Sequence, residues 1–138
     1  VLAANGKHFN GVVSPVFDAR RGQIYTGLYT GDNGAVAMIK EDRILQSTDW
    51  AEQLKELDRD VLFIGNDVAL HADIFRSILG ERAVIADAAS QNPRPGELAR
   101  LGKDLPAEDI HRFVPNYIRM AEAEANWIEQ QKKVEEKE

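Results

Sequence analysis

Hydrophobic and polar positions change their rhythm once along the chain, near residue 47. Before that point the apolar residues come in short β-branched and aromatic runs. Val12 to Phe17 and Ile24 to Thr30 are rich in strand formers, and Ala35 to Ile39 returns after Gly31-Asp32-Asn33-Gly34. Asn-Gly supplies the positive φ angles that a tight hairpin needs, so these segments predict a three-stranded antiparallel meander. Ile44-Leu45 extends or caps its last strand. Pro15 has no amide hydrogen, so within the first strand it needs an edge, a bulge or an outward-facing position.

Past residue 47 the spacing becomes helical. Ser47-Thr48-Asp49 offers N-cap groups, Glu52 suits the first turn, and Trp50, Leu54 and Leu57 recur on one face. Val61 to Ile64 is a continuous apolar run, the pattern of a strand buried on both faces, and it ends at Gly65-Asn66. Asp67 is placed to cap a helix that carries Ile74, Phe75, Ile78 and Leu79 and stops at Gly80. Ala83 to Ala86 reads as a second buried strand. Pro95 fits the start of a helix running through Glu97 to Leu105. Pro115 breaks the chain again, and Met120 to Glu138 is helix-prone with a charged end. The expected fold is therefore α/β: three antiparallel strands followed by α-β-α-β-α in one mixed sheet, the order of a ribonuclease-H-like lobe.

Val1-Leu2-Ala3-Ala4 reads as the last turn of an apolar helix, and Asn5-Gly6 as its stop. One turn is too costly to nucleate alone. The expected organisation is then the end of a helix from a preceding lobe over 1–9, a carboxy-terminal lobe over 10–119, and a helix with a charged tail over 120–138.

Composition narrows the function. The 138 residues suit about one domain on a prior of ~100–200 residues each. There is no cysteine, which excludes disulfides, thiolate metal sites and cysteine nucleophiles. A net charge of −6 argues against autonomous nucleic-acid binding. No apolar stretch approaches the ~20 residues of a membrane span.

Candidate chemistry gathers at two places. Asp18-Ala19-Arg20-Arg21-Gly22 sits between two predicted strands, where a carboxylate beside two guanidiniums either binds phosphate or orders a turn. Pro115-Asn116-Tyr117-Ile118-Arg119 combines a fixed turn, an aromatic expected to dock, and an arginine that either clamps the final helix, pairing with an acid of the meander, or meets a partner's acid or phosphate. Elsewhere the signals are weaker. His8, His71 and His111 lack metal-pair spacing, and His71 fits a partly buried helix position. No serine lies in a Gly-x-Ser-x-Gly elbow, and neither a P-loop nor a dinucleotide fingerprint occurs. Glu122 and Glu124 read as a solvated helix face.

Ser14-Pro15-Val16-Phe17-Asp18-Ala19-Arg20-Arg21-Gly22-Gln23-Ile24-Tyr25 resembles the "DARR-x-x-x-Y" segment of the bacterial TsaB (YeaZ) family. Pro115-Asn116-Tyr117-Ile118-Arg119, with Ala123-Glu124 behind it, is similar to that family's closing "P-x-Y-[LI]-R … A-E" signature. The order and separation of the two motifs fit, and the resemblance covers all but the charged tail.

The resemblance implies a fold of the actin/Hsp70/sugar-kinase superfamily and a cytoplasmic, noncatalytic subunit in tRNA threonylcarbamoyladenosine synthesis. Such a subunit would support the paralogous TsaD alongside TsaE, with a homodimer of the full-length protein as a further possibility. It implies tRNA contact only through the complex, no membrane, no metal and no cofactor in this chain. ATP and magnesium would belong to the complex. The residues carried over as motif or interaction positions are Asp18, Arg20, Arg21, Tyr25, Pro115, Tyr117 and Arg119, none of them catalytic. An older label, M22 glycoprotease, finds no nucleophile–base set here. The alternative is a phosphate- or nucleotide-binding enzyme domain using Asp18 and Arg20. The family's amino-terminal half, with its Asp-Thr-Ser strand, has no counterpart in this sequence, so the chain is expected to be a carboxy-terminal piece that is inactive alone.

Overall fold

A computed structural model of the chain describes residues 1–32, 34–115 and 117–118. The elements run β1 (Val12–Asp18), β2 (Gln23–Asp32), β3 (Ala35–Gln46), α1 (Ser47–Lys55), β4 (Val61–Ile64), α2 (Ala72–Leu79), β5 (Ala83–Ile85) and α3 (Pro95–Gly102). The strands form one sheet in the order β3-β2-β1-β4-β5. β1 pairs antiparallel with β2 and parallel with β4, and β4 pairs parallel with β5. The expected mixed α/β sheet is thus present. Asp32 pairs with Ala35, so a two-residue connection closes the predicted hairpin, and Gly34 has a φ of 81°.

The chain divides into two compact units, Val1–Ala107 and Glu108–Glu138. The sheet and the described helices lie in the first. In the second, the Arg112 amide donates to the Asp109 carbonyl at 3.0 Å, and Ile110, Phe113, Val114 and Tyr117 are exposed. No described helix is long and apolar enough to cross a membrane.

Alternation along β1 sends side chains to two differently covered faces. Val12, Ser14 and Val16 share one face with Ile24, Val61 and Phe63. There α1 and α2 close a core around Trp50, Leu54 and Phe75. Phe63 and Phe75 stack with centroids 3.9 Å apart. Buried polar groups on this face satisfy one another: Trp50 Nε1 donates to Ser14 Oγ at 2.9 Å, and Ser14 Oγ lies 2.9 Å from Thr26 Oγ1. Val13 and Ile64 face the other way and pack with Leu2 and Ala3.

Several local expectations change. The first residues form a 3-10 turn over Leu2–Gly6 that runs through Asn5-Gly6. Gly6 does not adopt the left-handed stop conformation; it allows close approach, since a Cβ there would lie 2.8 Å from Val13 Cγ2. The α1 N-cap is Gln46, without a side-chain capping bond, because β3 continues directly into the helix. β5 is an edge strand and only partly buried, so it is not covered on both sides. α3 ends at Gly102 and buries none of its residues. Pro15 lies in the central strand, at a gap in the β1–β2 ladder beside an irregularity in β2–β3 pairing that spans Thr26 to Tyr29. Its missing donor is tolerated there.

Candidate functional site

The β1–β2 corner is the most unusual backbone in the described residues. Asp18 ends β1 and Gln23 begins β2. Between them Arg20, Arg21 and Gly22 have φ angles of 66°, 53° and 76°. Two adjacent left-handed residues carrying a Cβ cost roughly 1–2 kcal/mol each. Hydrogen bonds hold the turn on both sides. The Ala19 amide donates to the Gln23 carbonyl at 2.8 Å, the Gln23 amide to Arg20 at 3.0 Å, and the Ser47 amide to Gly22 at 2.9 Å. The start of α1 therefore braces the turn from below.

Asp18 does not turn toward the arginines. Its Oδ1 lies 3.0 Å from His71 Nε2, and its backbone amide donates to Asp67 Oδ2 at 3.0 Å. His71 is 4% exposed and its ring tilts against Phe75, at 6.2 Å between centroids. Through Phe75 it leans on the stacked Phe63, so the corner is tied to the main core. The solvated Asp–Arg pair that a simple hairpin would show is replaced by a partly buried Asp–His contact.

His71 is also not a helix-face residue. It joins the 3-10 turn Val68–Leu70 to α2 and occupies the α2 N-cap position. Asp67 makes no capping bond, because its carboxylate is spent on the Asp18 amide. Sequence reasoning missed this brace. Its signal was a pair of polar residues, Asp67 and His71, just after a strand followed by Gly65. The short connection from β4 brings both to the end of the neighbouring β1. Gly65 is held at φ 140°, and a Cβ there would sit 2.1 Å from the Val16 carbonyl oxygen. Only glycine lets β4 leave the sheet at that point.

The remaining predicted residues are spread apart. Tyr25 stands opposite Phe17 on β1 and Ile44 on β3. Arg20 and Arg21 are exposed, and the Arg20 side chain makes no hydrogen bond or ion pair among the described residues. Pro115 is exposed, as is Tyr117 at 79%, so the expected docking of that ring is not made among the described residues. Arg119, Asn116 and the helix expected over Met120–Glu138 lie outside the described residues. No group of three histidine or carboxylate side chains among the described residues could hold a metal ion.

A second polar cluster links the first residues to the segment after β5. Asn5 Nδ2 donates to the Ser90 and Asn92 carbonyls at 2.9 and 2.7 Å, and Lys7 Nζ meets Glu97 Oε1 at 2.7 Å. Arg100 reaches the other Glu97 oxygen at 2.8 Å. The two cations hold the Glu97 carboxyl down to about 2. Near the sheet edge, burial and the adjacent Asp42 carboxylate push the Tyr29 phenol well above its ordinary range.

No family model matches the chain. The chain is 55% identical over 131 residues to a Bacillus subtilis (strain 168) protein described as "tRNA threonylcarbamoyladenosine biosynthesis protein TsaB". The match takes in 95% of the chain and 57% of the relative, so the chain spans little more than half the relative's length. It bears out the resemblance read from the two motifs.

Proposed function

We infer that the chain is a member of the TsaB family, and we propose that it serves in tRNA threonylcarbamoyladenosine biosynthesis as a noncatalytic supporting subunit. The observation that carries this reading is the 55% identity over 131 residues. The proposed partners are TsaD, whose threonylcarbamoyl transfer the subunit would support, and TsaE, in a cytoplasmic complex. Contact with tRNA would come through the complex. ATP and magnesium would likewise be held at that level. Strand order supports a ribonuclease-H-like fold: an antiparallel meander on one side of β1 and parallel β4 and β5 on the other.

The braced corner is consistent with support rather than chemistry. Asp18 is committed to His71, and its amide to Asp67, so the group nearest the arginines is engaged in holding the fold. A structural or docking motif needs such fixed geometry.

A chimera tests the reading. The aligned segment of Bacillus subtilis TsaB is replaced by this chain. The hybrid is then added to TsaD, TsaE, tRNA and threonylcarbamoyl-adenylate. Modified nucleoside should form at a rate within about threefold of that with unaltered TsaB, since 55% identity keeps the core interchangeable. No modified nucleoside from a folded hybrid, where unaltered TsaB works, would overturn the proposal.

A further inference from the structure

Among the described residues, the sheet face that carries Val13 and Ile64 is covered at one end. Leu2, Ala3 and Gly6 lie over that end. The other end bears the row Phe17, Tyr25 and Ile44 across β1, β2 and β3. Phe17 is 45% exposed, while Tyr25 and Ile44 are part-buried. The strained Arg20-Arg21-Gly22 turn closes the same end of the β1–β2 hairpin.

We propose that this corner, Phe17 and Tyr25 with Arg20 at the rim, is a docking surface for an acidic, apolar segment of a second protein. Aromatic residues and arginine are the side chains enriched at interface centres; here Phe17 and Tyr25 are cross-strand partners, and the turn that carries Arg20 closes the same end of the hairpin. Charge complementarity selects the partner. The nearest carboxylate in sequence, Asp18, is drawn away to His71, and Arg20 is left without an internal counter-charge among the described residues. The corner therefore presents positive charge beside apolar area on a protein whose net charge is −6.

A nucleic acid fits less well. It would need a broad basic face, because duplex DNA carries a charge about every 1.7 Å. Basic side chains at this turn amount to Arg20 and Arg21, with Asp18 and Asp67 close by. A strained left-handed pair is retained where the surrounding structure over-determines it, and such sites cluster at ligand clamps. The corner has that character, braced by α1 on one side and by Asp67 and His71 on the other. The inference stands on this geometry and does not depend on the TsaB reading.

The test is an NMR titration of the full chain with two probes. One is a synthetic amphipathic peptide of glutamate and leucine; the other is a single-stranded RNA oligonucleotide of equal charge. The peptide should shift the backbone amides of residues 17–25. Arg20→Glu and the milder Arg20→Gln should weaken it, the first by at least about tenfold, since like charges at a contact are strongly unfavourable. Arg76→Glu, the same charge change on exposed α2, should leave affinity unchanged. Thermal melts confirm that each variant folds. Peptide shifts confined to other residues, no shifts at all, equal affinity in folded Arg20 variants, or tighter binding of the RNA at this corner would each overturn the proposal.

Discussion

Single residues in this protein matter most where a polar group has been taken inside. Ser14 Oγ receives the Trp50 indole donor and also meets Thr26, in a buried part of the core. Removing the hydroxyl leaves the indole N–H unsatisfied, a cost of about 1–3 kcal/mol. Ser14→Ala should therefore lower the stability measured by urea unfolding by that amount. Substitution of both partners, Ser14→Ala with Trp50→Phe, should recover part of the loss, because an apolar pair has nothing left to satisfy. The sequence announced Trp50 as a helix-face core residue. Its need for a hydroxyl 36 positions earlier in the chain followed only from the pairing of β1 with β2 beneath α1.

At the scale of elements, glycines separate two physical roles that look identical in the sequence. Gly6 is pressed against Val13 and Leu62, with a Cβ at that position 2.8 Å and 3.0 Å from them. Gly96 sits in the first turn of α3, and a Cβ there would meet nothing within 4 Å. Alanine at Gly6 should destabilise the protein, at about 1–3 kcal/mol for overpacking. Alanine at Gly96 should stabilise it by up to about 1 kcal/mol, through helix propensity. Melting curves of the two variants should move in opposite directions. A shift in the same direction for both would mean that the 3-10 turn is not seated on the sheet as described. The meander, the strand–helix alternation and the stop at Gly80 were all legible from period and turn chemistry. Element boundaries were less so: β3 extends over Ala35–Gln46, because its pairing with β2 resumes at Arg43 beyond an irregular stretch in its polar middle.

For the whole molecule, charge ties distant segments together. Glu97 is held by Lys7, which lies 90 positions earlier, and by its own helix neighbour Arg100. Its carboxyl is lowered to about 2 from an ordinary value of 4.5. A depressed folded-state value gives stability that is complete above the unfolded-state pKa and is lost as pH falls through the folded one. The contribution should thus be full above about pH 5 and fade toward pH 2. Thermal melts between these limits should show a shallower pH slope in Glu97→Gln than in the unaltered chain. The two slopes should differ most between the two pKa values, and the effect should shrink in high salt.

The sequence by itself determined the class of fold, the order of its elements and the resemblance to TsaB, because period, turn residues and short motifs are local properties of the chain. Asp18, Arg20, Arg21 and Tyr25 could be picked out one by one, yet their roles could not. Only the tertiary structure decided that Asp18 faces His71, that Asp67 serves Asp18 rather than a helix cap, and that Arg20 is turned out on a strained corner. Those relations join β1 to the connection after β4, which parallel pairing brings alongside. Side chains about 50 positions apart carry no shared local signal, and their partnership exists only once the sheet has set the register.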